Sequence, residues 1–221
     1  MRRILVAVSM LSVLTLAGLF LWGTKIHPTQ AKTFSFASPI VRYRIDPQRS
    51  KFMVNADRTG LAYFKGHSHR IAVRDFSGEA SLTMDALNPA SLSMTVQANS
   101  LEETDPVFTP DQKKIIKKEL DEIVLESAKY PEIKFNSTSI TGKMKNGAFD
   151  VKIGGDLTLH GVTRHIVIPA TVTLQGDTLR AVGEFEVNRK KYGVNATNAF
   201  YGMVRVKHDL KFIFDIIGQR V

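Results

Sequence analysis

The histidines of this 221-residue chain are the residues best suited to bind a metal or a polar ligand. His67 and His69 are two residues apart, so within a β-strand both imidazoles would face the same side. Such a pair can ligate zinc or copper if a third ligand, such as His160, His165 or His208, joins it. Alternatively, the pair donates hydrogen bonds to a quinone or phosphate oxygen of a ligand, or lines the polar mouth of a barrel. Because no compact metal-ligand motif accompanies the pair, we predict no metal site and count both residues as ligand-binding.

The histidine at position 208 lies among apolar residues of the last predicted strand. His208 alternates with Val206, Leu210 and Phe212, so all four side chains would share one strand face. If that face lines the interior, the imidazole points inward, toward a bound ligand. The alternative is a buried neutral histidine that is satisfied by a neighbouring polar group and has no further role.

Arg189 and Tyr192 form a second candidate site for a ligand headgroup. A guanidinium group can bind two phosphate oxygens at once, and a tyrosine hydroxyl can donate a hydrogen bond at a boundary between water and apolar surface. The alternative is that Arg189 pairs with a carboxylate such as Asp46.

Motifs for covalent catalysis and for nucleotide binding are absent from the sequence. There is no cysteine, no Gly-x-Ser-x-Gly elbow, and no phosphate-loop or dinucleotide motif. We therefore predict that the protein is not an enzyme and has no catalytic residues. Its lysines and arginines are scattered and belong to no nucleic-acid motif, so we expect no nucleic-acid partner.

The N-terminal segment has the pattern of an export signal. Arg2 and Arg3 precede an apolar run from residue 4 to residue 22, and a small-residue site follows near Ala31. We assign residues 1–31 to a signal peptide or an uncleaved N-terminal anchor, residues 32–41 to a tether and residues 42–221 to one domain. The expected location is periplasmic or secreted. Removing residues 1–31 takes away three of the 30 basic residues and none of the 21 acids, leaving a charge of 27 − 21 = +6. An anionic membrane surface is therefore a candidate partner.

Alternation of apolar and polar residues dominates the remaining sequence and predicts antiparallel strands with one buried face. Apolar faces recur at residues 52–56, 92–98, 151–159, 166–174, 179–187 and 204–216. Turn-forming pairs at Asn146-Gly147, His160-Gly161 and Gly176-Asp177 link several of these strands directly. The fold class predicted is an all-β, antiparallel, eight-stranded, lipocalin-like barrel. One α-helix, starting at the capping box of Thr109 and ending before Pro131, is expected to pack over a barrel end.

Five short motifs occur in a characteristic order. They are Tyr43-Arg44-Ile45-Asp46, Phe76-Ser77-Gly78-Glu79, Tyr130-Pro131-Glu132-Ile133-Lys134-Phe135, Leu157-Thr158-Leu159-His160-Gly161-Val162-Thr163 and Arg189-Lys190-Lys191-Tyr192-Gly193-Val194. In order and spacing they resemble the YceI-like, polyisoprenoid-binding family of lipocalin-like barrels, over roughly residues 42–219.

The resemblance implies a barrel that encloses an elongated isoprenoid chain in a periplasmic or secreted bacterial protein. We accordingly expect a long-chain isoprenoid lipid, of the polyprenyl phosphate or quinone type, as partner and no cofactor besides it. Phe185, Val206 and Leu210 are expected to line the cavity. A metal-binding protein or metal-assisted enzyme centred on His67, His69 and His208 is the alternative. The oligomeric state and the identity of the lipid stay open.

Overall fold

A computed structural model describes residues 39–83, 87, 89–196 and 205–221 of the protein. The predicted signal or anchor, residues 1–31, and most of the predicted tether lie outside the described residues. The strands are β1 (Ile40–Ile45), β2 (Lys51–Ala56), β3 (Arg58–Thr59), β4 (His69–Val73), β5 (Phe76–Thr83), β6 (Ala90–Gln97), β7 (Leu101–Glu103), β8 (Glu132–Lys145), β9 (Ala148–Leu159), β10 (Val162–Gln175), β11 (Thr178–Asn188), β12 (Arg205–Val206) and β13 (Asp209–Arg220). Helix α1 (Pro110–Glu119) continues into a π-helical turn, Leu120–Val124.

The strands close into the predicted eight-stranded antiparallel barrel. The ring runs β1-β5-β6-β8-β9-β10-β11-β13, and β13 pairs back onto β1. β8, β9, β10 and β11 follow one another as a meander of long hairpins, as the turn pairs predicted. Asn146 and His160 have φ of 51° and 52° and Gly147 and Gly161 have φ of 78° and 74°, as two-residue hairpins of the mirror-image type require.

At three positions of the ring, two short strands take the place of one long strand. These pairs are β1 with β2, β4 with β5, and β6 with β7. β13 pairs with β2 through residues 211–215 and with β1 through residues 218–220, so β2 and β1 share one side of β13. β4 pairs with β2, and β7 pairs with β4, so the full sheet order ends β13-β2-β4-β7. Between β1 and β2, Asp46 accepts hydrogen bonds from the amides of Gln48 and Arg49, and the Ser50 hydroxyl accepts one from Ile217. These hydrogen bonds satisfy backbone amides at the point where the β-ladder along β13 passes from β1 to β2.

The helix begins where the sequence predicts. The capping box is complete: Thr109 Oγ1 accepts from the amide of Gln112, and the Gln112 side chain accepts from the amide of Thr109. Leu120 and Val124 pack against the barrel core. Ile123 lies between them in the π-helical turn and is 54% exposed.

The core lies inside the ring and consists of the inward residues of every long strand. Alternate residues of β9, from Val151 to Leu159, are buried, and so are Ile168, Ala170 and Val172 of β10. Tyr43 of β1 is fully buried. Period-2 burial of this kind follows from alternation of side chains across the two faces of a strand.

A close approach of β8 and β9 gives the first testable prediction. A β-carbon on Gly155 would lie 2.5 Å from the Asn136 carbonyl oxygen and 2.5 Å from Cζ of Phe135, beside a bulge in β8. Gly155→Ala should therefore lower the free energy of unfolding by about 1–3 kcal/mol, measured by urea denaturation. Gly176→Asn is the control, because Gly176 has φ of 56° and open space around it. Asparagine tolerates that φ, so the change should stay under about 0.5 kcal/mol. Equal stability of Gly155→Ala and the wild type would contradict the prediction.

Candidate ligand-binding cavity

The barrel interior contains an apolar cavity with a volume of about 170 Å³. Every strand of the closed ring contributes to its lining. Among the lining residues that the structure describes, only Ser81, Ser91 and Lys134 carry a polar or charged side chain. Such a cavity can hold an apolar group, because it offers few hydrogen-bonding partners to water.

Phenylalanine rings cluster in the cavity lining, and Phe76, outside the lining, extends the cluster. Phe185 stacks on Phe212 at 4.9 Å between ring centroids, and Phe52 lies 6.2 Å from Phe212. Phe76 meets Phe52 edge-on at 6.0 Å. These aromatic contacts are worth a fraction of a kcal/mol to about 1.5 kcal/mol each, so an incoming apolar chain can replace them at small cost.

Of the three residues predicted to line the cavity, the structure places only Phe185 there. Leu210 is partly buried and packs against the core, but it is not a cavity-lining residue. Val206 belongs to β12, which pairs with Arg58 of β3 in a separate two-stranded sheet, so its predicted place in the cavity is wrong. The last predicted strand in fact breaks at residues 207–208, and the alternation does not run through the break.

The prediction of an inward His208 is also wrong, since this residue is exposed. His208 lies in the break before β13, and its carbonyl accepts the backbone amide of Arg189 at 2.8 Å. Partial desolvation and the positive charges of Lys190 and Arg189 lower the pKa of the His208 imidazole, against the opposing charge of Asp209. A histidine so placed does not face the cavity.

His67 and His69 both contact the ring of Phe108. His69 stacks parallel to it with ring centroids 5.2 Å apart, and His67 meets it edge-on at 5.6 Å. β4 begins at His69, so the strand alternation that motivated the pairing does not include His67. Across the described ranges, no group of three or more histidine, aspartate or glutamate side chains is placed to hold a metal ion.

The buried partner of His69 is a residue that the sequence analysis missed. Nδ1 of His69 lies 2.8 Å from Oε2 of Glu103, whose side chain is fully buried. Burial raises the pKa of Glu103. The hydrogen bonds from His69 and from the amides of Asp105 and Arg70, with the charge of His69, outweigh burial and hold that pKa below its ordinary value. The side chain thus joins β7 to β4 and to the chain after β7.

Arg189 is a structural residue by its contacts. Its guanidinium donates hydrogen bonds to the carbonyl oxygens of Lys207 (3.1 Å), Val194 (2.9 Å) and Val206 (3.1 Å). The expected alternative, a carboxylate partner such as Asp46, is therefore wrong as well. Burial lowers the pKa of Arg189. Three carbonyl acceptors hold the turn after β11 against the chain before β13.

Tyr192, the predicted companion of Arg189, is 2% exposed. Within the part of the chain that the structure describes, its hydroxyl is buried and has no hydrogen-bond partner. Burial raises the pKa of this hydroxyl, and the charge of Arg164 opposes the shift. Arg164, whose charge acts on this hydroxyl, was not predicted from the sequence.

His160 lies at the β9–β10 turn and contacts the segment after the helix. Its ring centroid is 4.3 Å from that of Tyr130. Nε2 lies 2.7 Å from Oε2 of Glu126, a distance typical of an ion pair, but the orientation is not that of a hydrogen bond. The contact attaches the end of the helical segment to the barrel wall.

Within the described ranges, no helix has both the length and the apolar character needed to span a bilayer.

The sequence is similar to a known domain family and to known bacterial proteins. The model of the YceI-like domain matches residues 43–217. Protein YceI of Escherichia coli is 31% identical over 147 residues, which is 65% of this chain and 69% of that protein. A UPF0312 protein of Pseudomonas fluorescens is 34% identical over 131 residues, which is 54% of this chain and 61% of that protein.

Solved structures share the fold at low sequence identity. BcnA of Burkholderia cenocepacia superposes with a TM-score of 0.63 at 18% identity, over 78% of this chain and 98% of that chain. A polyisoprenoid binding domain from Saccharophagus degradans, implicated in plant cell wall breakdown, gives 0.59 at 12% identity, over 81% and 98%. At these identities the likeness establishes a common barrel architecture.

The Glu103 carboxylate should make stability depend on acid pH. Its folded-state pKa is lower than the ordinary 4.5, so its contribution is fully present above about pH 4.5. The contribution is lost as the pH falls through the lower, folded-state value. In urea denaturation over a pH series, the wild type should therefore lose more stability below pH 4.5 than Glu103→Gln does. Glu102→Gln is the control, because Glu102 is exposed and pairs with Arg74 at the surface. Parallel profiles for the wild type and Glu103→Gln would disprove the role of this carboxylate.

Proposed function

This chain belongs to the family of YceI-like domains, and on that premise we propose that its barrel cavity binds the tail of a long-chain isoprenoid lipid. The apolar lining of the cavity is the observation that carries the proposal. The solved domain from Saccharophagus degradans, described as polyisoprenoid binding, has the same architecture and supports the choice of lipid class. A polyprenyl phosphate or a quinone is the type of lipid proposed.

The free energy of tail burial accounts for most of the binding. At about 0.8 kcal/mol per buried methylene-sized group, one five-carbon isoprene unit contributes roughly 4 kcal/mol. A typical hydrogen bond to a headgroup contributes only about 0.5–1.5 kcal/mol. Affinity is then set by how much tail enters the barrel, and the headgroup contacts set orientation and selectivity.

A long tail needs more space than about 170 Å³, so we propose that the lipid enlarges the cavity. The phenylalanines are the side chains most suited to move, because stacked rings such as Phe185 and Phe212 can turn about two side-chain bonds. The strands that carry them stay hydrogen-bonded to their neighbours along the β11–β13 ladder. Binding thus rearranges side chains within a fixed backbone.

Sequestration or transfer of the lipid, without a chemical step, is the proposed activity. The metal-assisted alternative required His67, His69 and His208 to act together. Two of these contact Phe108 and the third is exposed in the break before β13. The described residues therefore favour a binding protein over a metal-dependent enzyme.

Replacing Ala181 tests the cavity directly. Ala181 lines the cavity on β11, and its neighbour Val182 is 41% exposed. Ala181→Phe should weaken binding of a polyprenol by about tenfold or more, which is about 1.4 kcal/mol, because the ring occupies space that the tail needs. Val182→Phe should bind like the wild type. Affinity is measured by fluorescence titration, native mass spectrometry detects lipid that co-purifies, and circular dichroism confirms folding. A folded Ala181→Phe protein with unchanged affinity would refute the cavity as the binding site.

Export is the second part of the proposal and rests on Arg2, Arg3 and the apolar run up to residue 22. A periplasmic or secreted barrel, free or held by an uncleaved anchor, would meet lipids at a membrane surface. A reporter enzyme that works only outside the cytoplasm, fused after residue 40, should be active. Leu14→Arg should abolish this activity by interrupting the apolar run. Equal activity of both fusions, or an inactive wild-type fusion, would contradict export by this segment.

A further inference from the structure

The barrel wall is incompletely hydrogen-bonded between β10 and β11. Their ladder joins residues 171–175 to 178–182 and ends there. Pro169 lies two residues beyond the last pair and has no amide hydrogen to donate. Past it, and within the residues that the structure describes, β10 stays paired only with β9, and β11 only with β13. Residues 162–168 and 184–188 therefore face each other across an unpaired stretch of wall, which we call the slit.

A second gap in the wall, between β7 and β8, differs from the slit because it is covered. Helix α1 contacts β7, and Leu125, just after the π-helical turn, is buried in the core. No α-helix lies over the slit among the described residues; the turn after β11, residues 189–192, borders it, with Tyr192 buried and Lys191 exposed. A surface pocket of about 420 Å³ lies between this turn and the edge of β10.

This pocket adjoins the apolar cavity. Ile166 of β10 borders both the pocket and the cavity. The other residues around the pocket are mostly polar, and they include Thr163, Asn188 and Lys191. Ile166 thus lies between a polar pocket at the outside of the wall and the apolar cavity inside it.

Arg164 of β10 is a charged residue that borders this pocket. It has the same strand parity as Ile166 and Ile168, which line the cavity, yet it is exposed. Its Nε donates a hydrogen bond to the Lys191 carbonyl oxygen at 2.6 Å, across the slit. Because a guanidinium carries five N–H donors, this bond leaves donors for a ligand.

Besides Tyr192, the ionisable groups of the pocket lining are two cations, Arg164 and Lys191, one carboxylate, Glu186, and the imidazole of His165. His165 is paired with Asp156 at 3.3 Å. Tyr192 also borders the pocket, and its buried hydroxyl lacks a hydrogen-bond partner within the described ranges. A guanidinium, an ammonium and a neutral hydroxyl are donors that suit a phosphate.

We propose that the slit is a lateral opening of the cavity, and that Arg164 binds the phosphate headgroup of the lipid there. This inference rests on the proposed function and extends it to the class of headgroup and to its place in the wall. The tail passes Ile166 into the cavity, and the headgroup stays in the polar pocket. The headgroup site is then centred on Arg164, with Tyr192 and Lys191 beside it, and Arg189 holds the turn that carries both.

Two lipids that share one tail test the headgroup assignment. A polyprenyl phosphate and the polyprenol of the same chain length are titrated against the wild type, Arg164→Gln and Arg44→Gln. Arg164→Gln should weaken phosphate binding by about tenfold and leave polyprenol binding within about twofold. Arg44→Gln removes an equally exposed charge from β1 and should change neither affinity. Equal effects of Arg164→Gln on both lipids, or no effect on either, would overturn the inference. Failure of both lipids to bind the wild type would instead refute the proposed function.

A free phosphate ion is the other possible source of the same chemistry. If inorganic phosphate alone binds the wild type as tightly as the polyprenyl phosphate does, the pocket is an anion site and the lipid assignment fails. If inorganic phosphate competes only weakly, as we expect, the tail is needed for binding.

Single labels locate the headgroup independently of any charge substitution. Because the chain has no cysteine, Val167→Cys and Val182→Cys each give one attachment point for an environment-sensitive fluorophore. Both valines are exposed on outward faces, one beside the slit and one in the paired part of the wall. Polyprenyl phosphate should change the emission at 167 and not at 182. No change at 167, or the same change at both positions, would contradict a lateral opening.

Discussion

The pairing of the first strand with the last closes the barrel, and the remaining structure depends on this contact. Ile45 lies opposite Gly218, and a β-carbon on Gly218 would come within 3.2 Å of Cβ of Tyr43. Once the ring is closed, the two faces of every long strand are fixed as interior and exterior, and a shift by one residue would exchange them. Closure also joins residues nearly a whole domain apart in sequence, and such long-range pairing is a slow step in folding.

The barrel was predictable because its long strands keep one simple period. Every second residue from Val151 to Leu159 is buried, as the sequence alternation predicts, and the Asn146-Gly147 and His160-Gly161 turns adopt the positive φ values that hairpins need. The helix start was equally clear, because a capping box is a local pattern of side chain and backbone. Features determined by neighbours in sequence were therefore visible before the structure.

The site residues were harder to predict because their roles depend on distant parts of the chain. His208 was placed by extending an alternating pattern through a break in the strand, which apolar residues on both sides concealed. Arg189 has the chemistry of a phosphate ligand but bonds to three carbonyl groups that only the folded chain brings together. Arg164 could have been singled out from the sequence. It is a charged residue in an alternating pattern whose next members, Ile166 and Ile168, are apolar and face inward.

An unpaired strand edge has a consequence for self-association. Free backbone donors and acceptors can accept a strand from another molecule, which is how edge-to-edge aggregation begins. Along the β10–β11 wall, Pro169 removes a donor, and the charged side chains of Arg164, Glu184 and Glu186 would be desolvated by an added strand. The wall can thus remain unpaired there while these residues disfavour growth of the sheet into intermolecular assemblies.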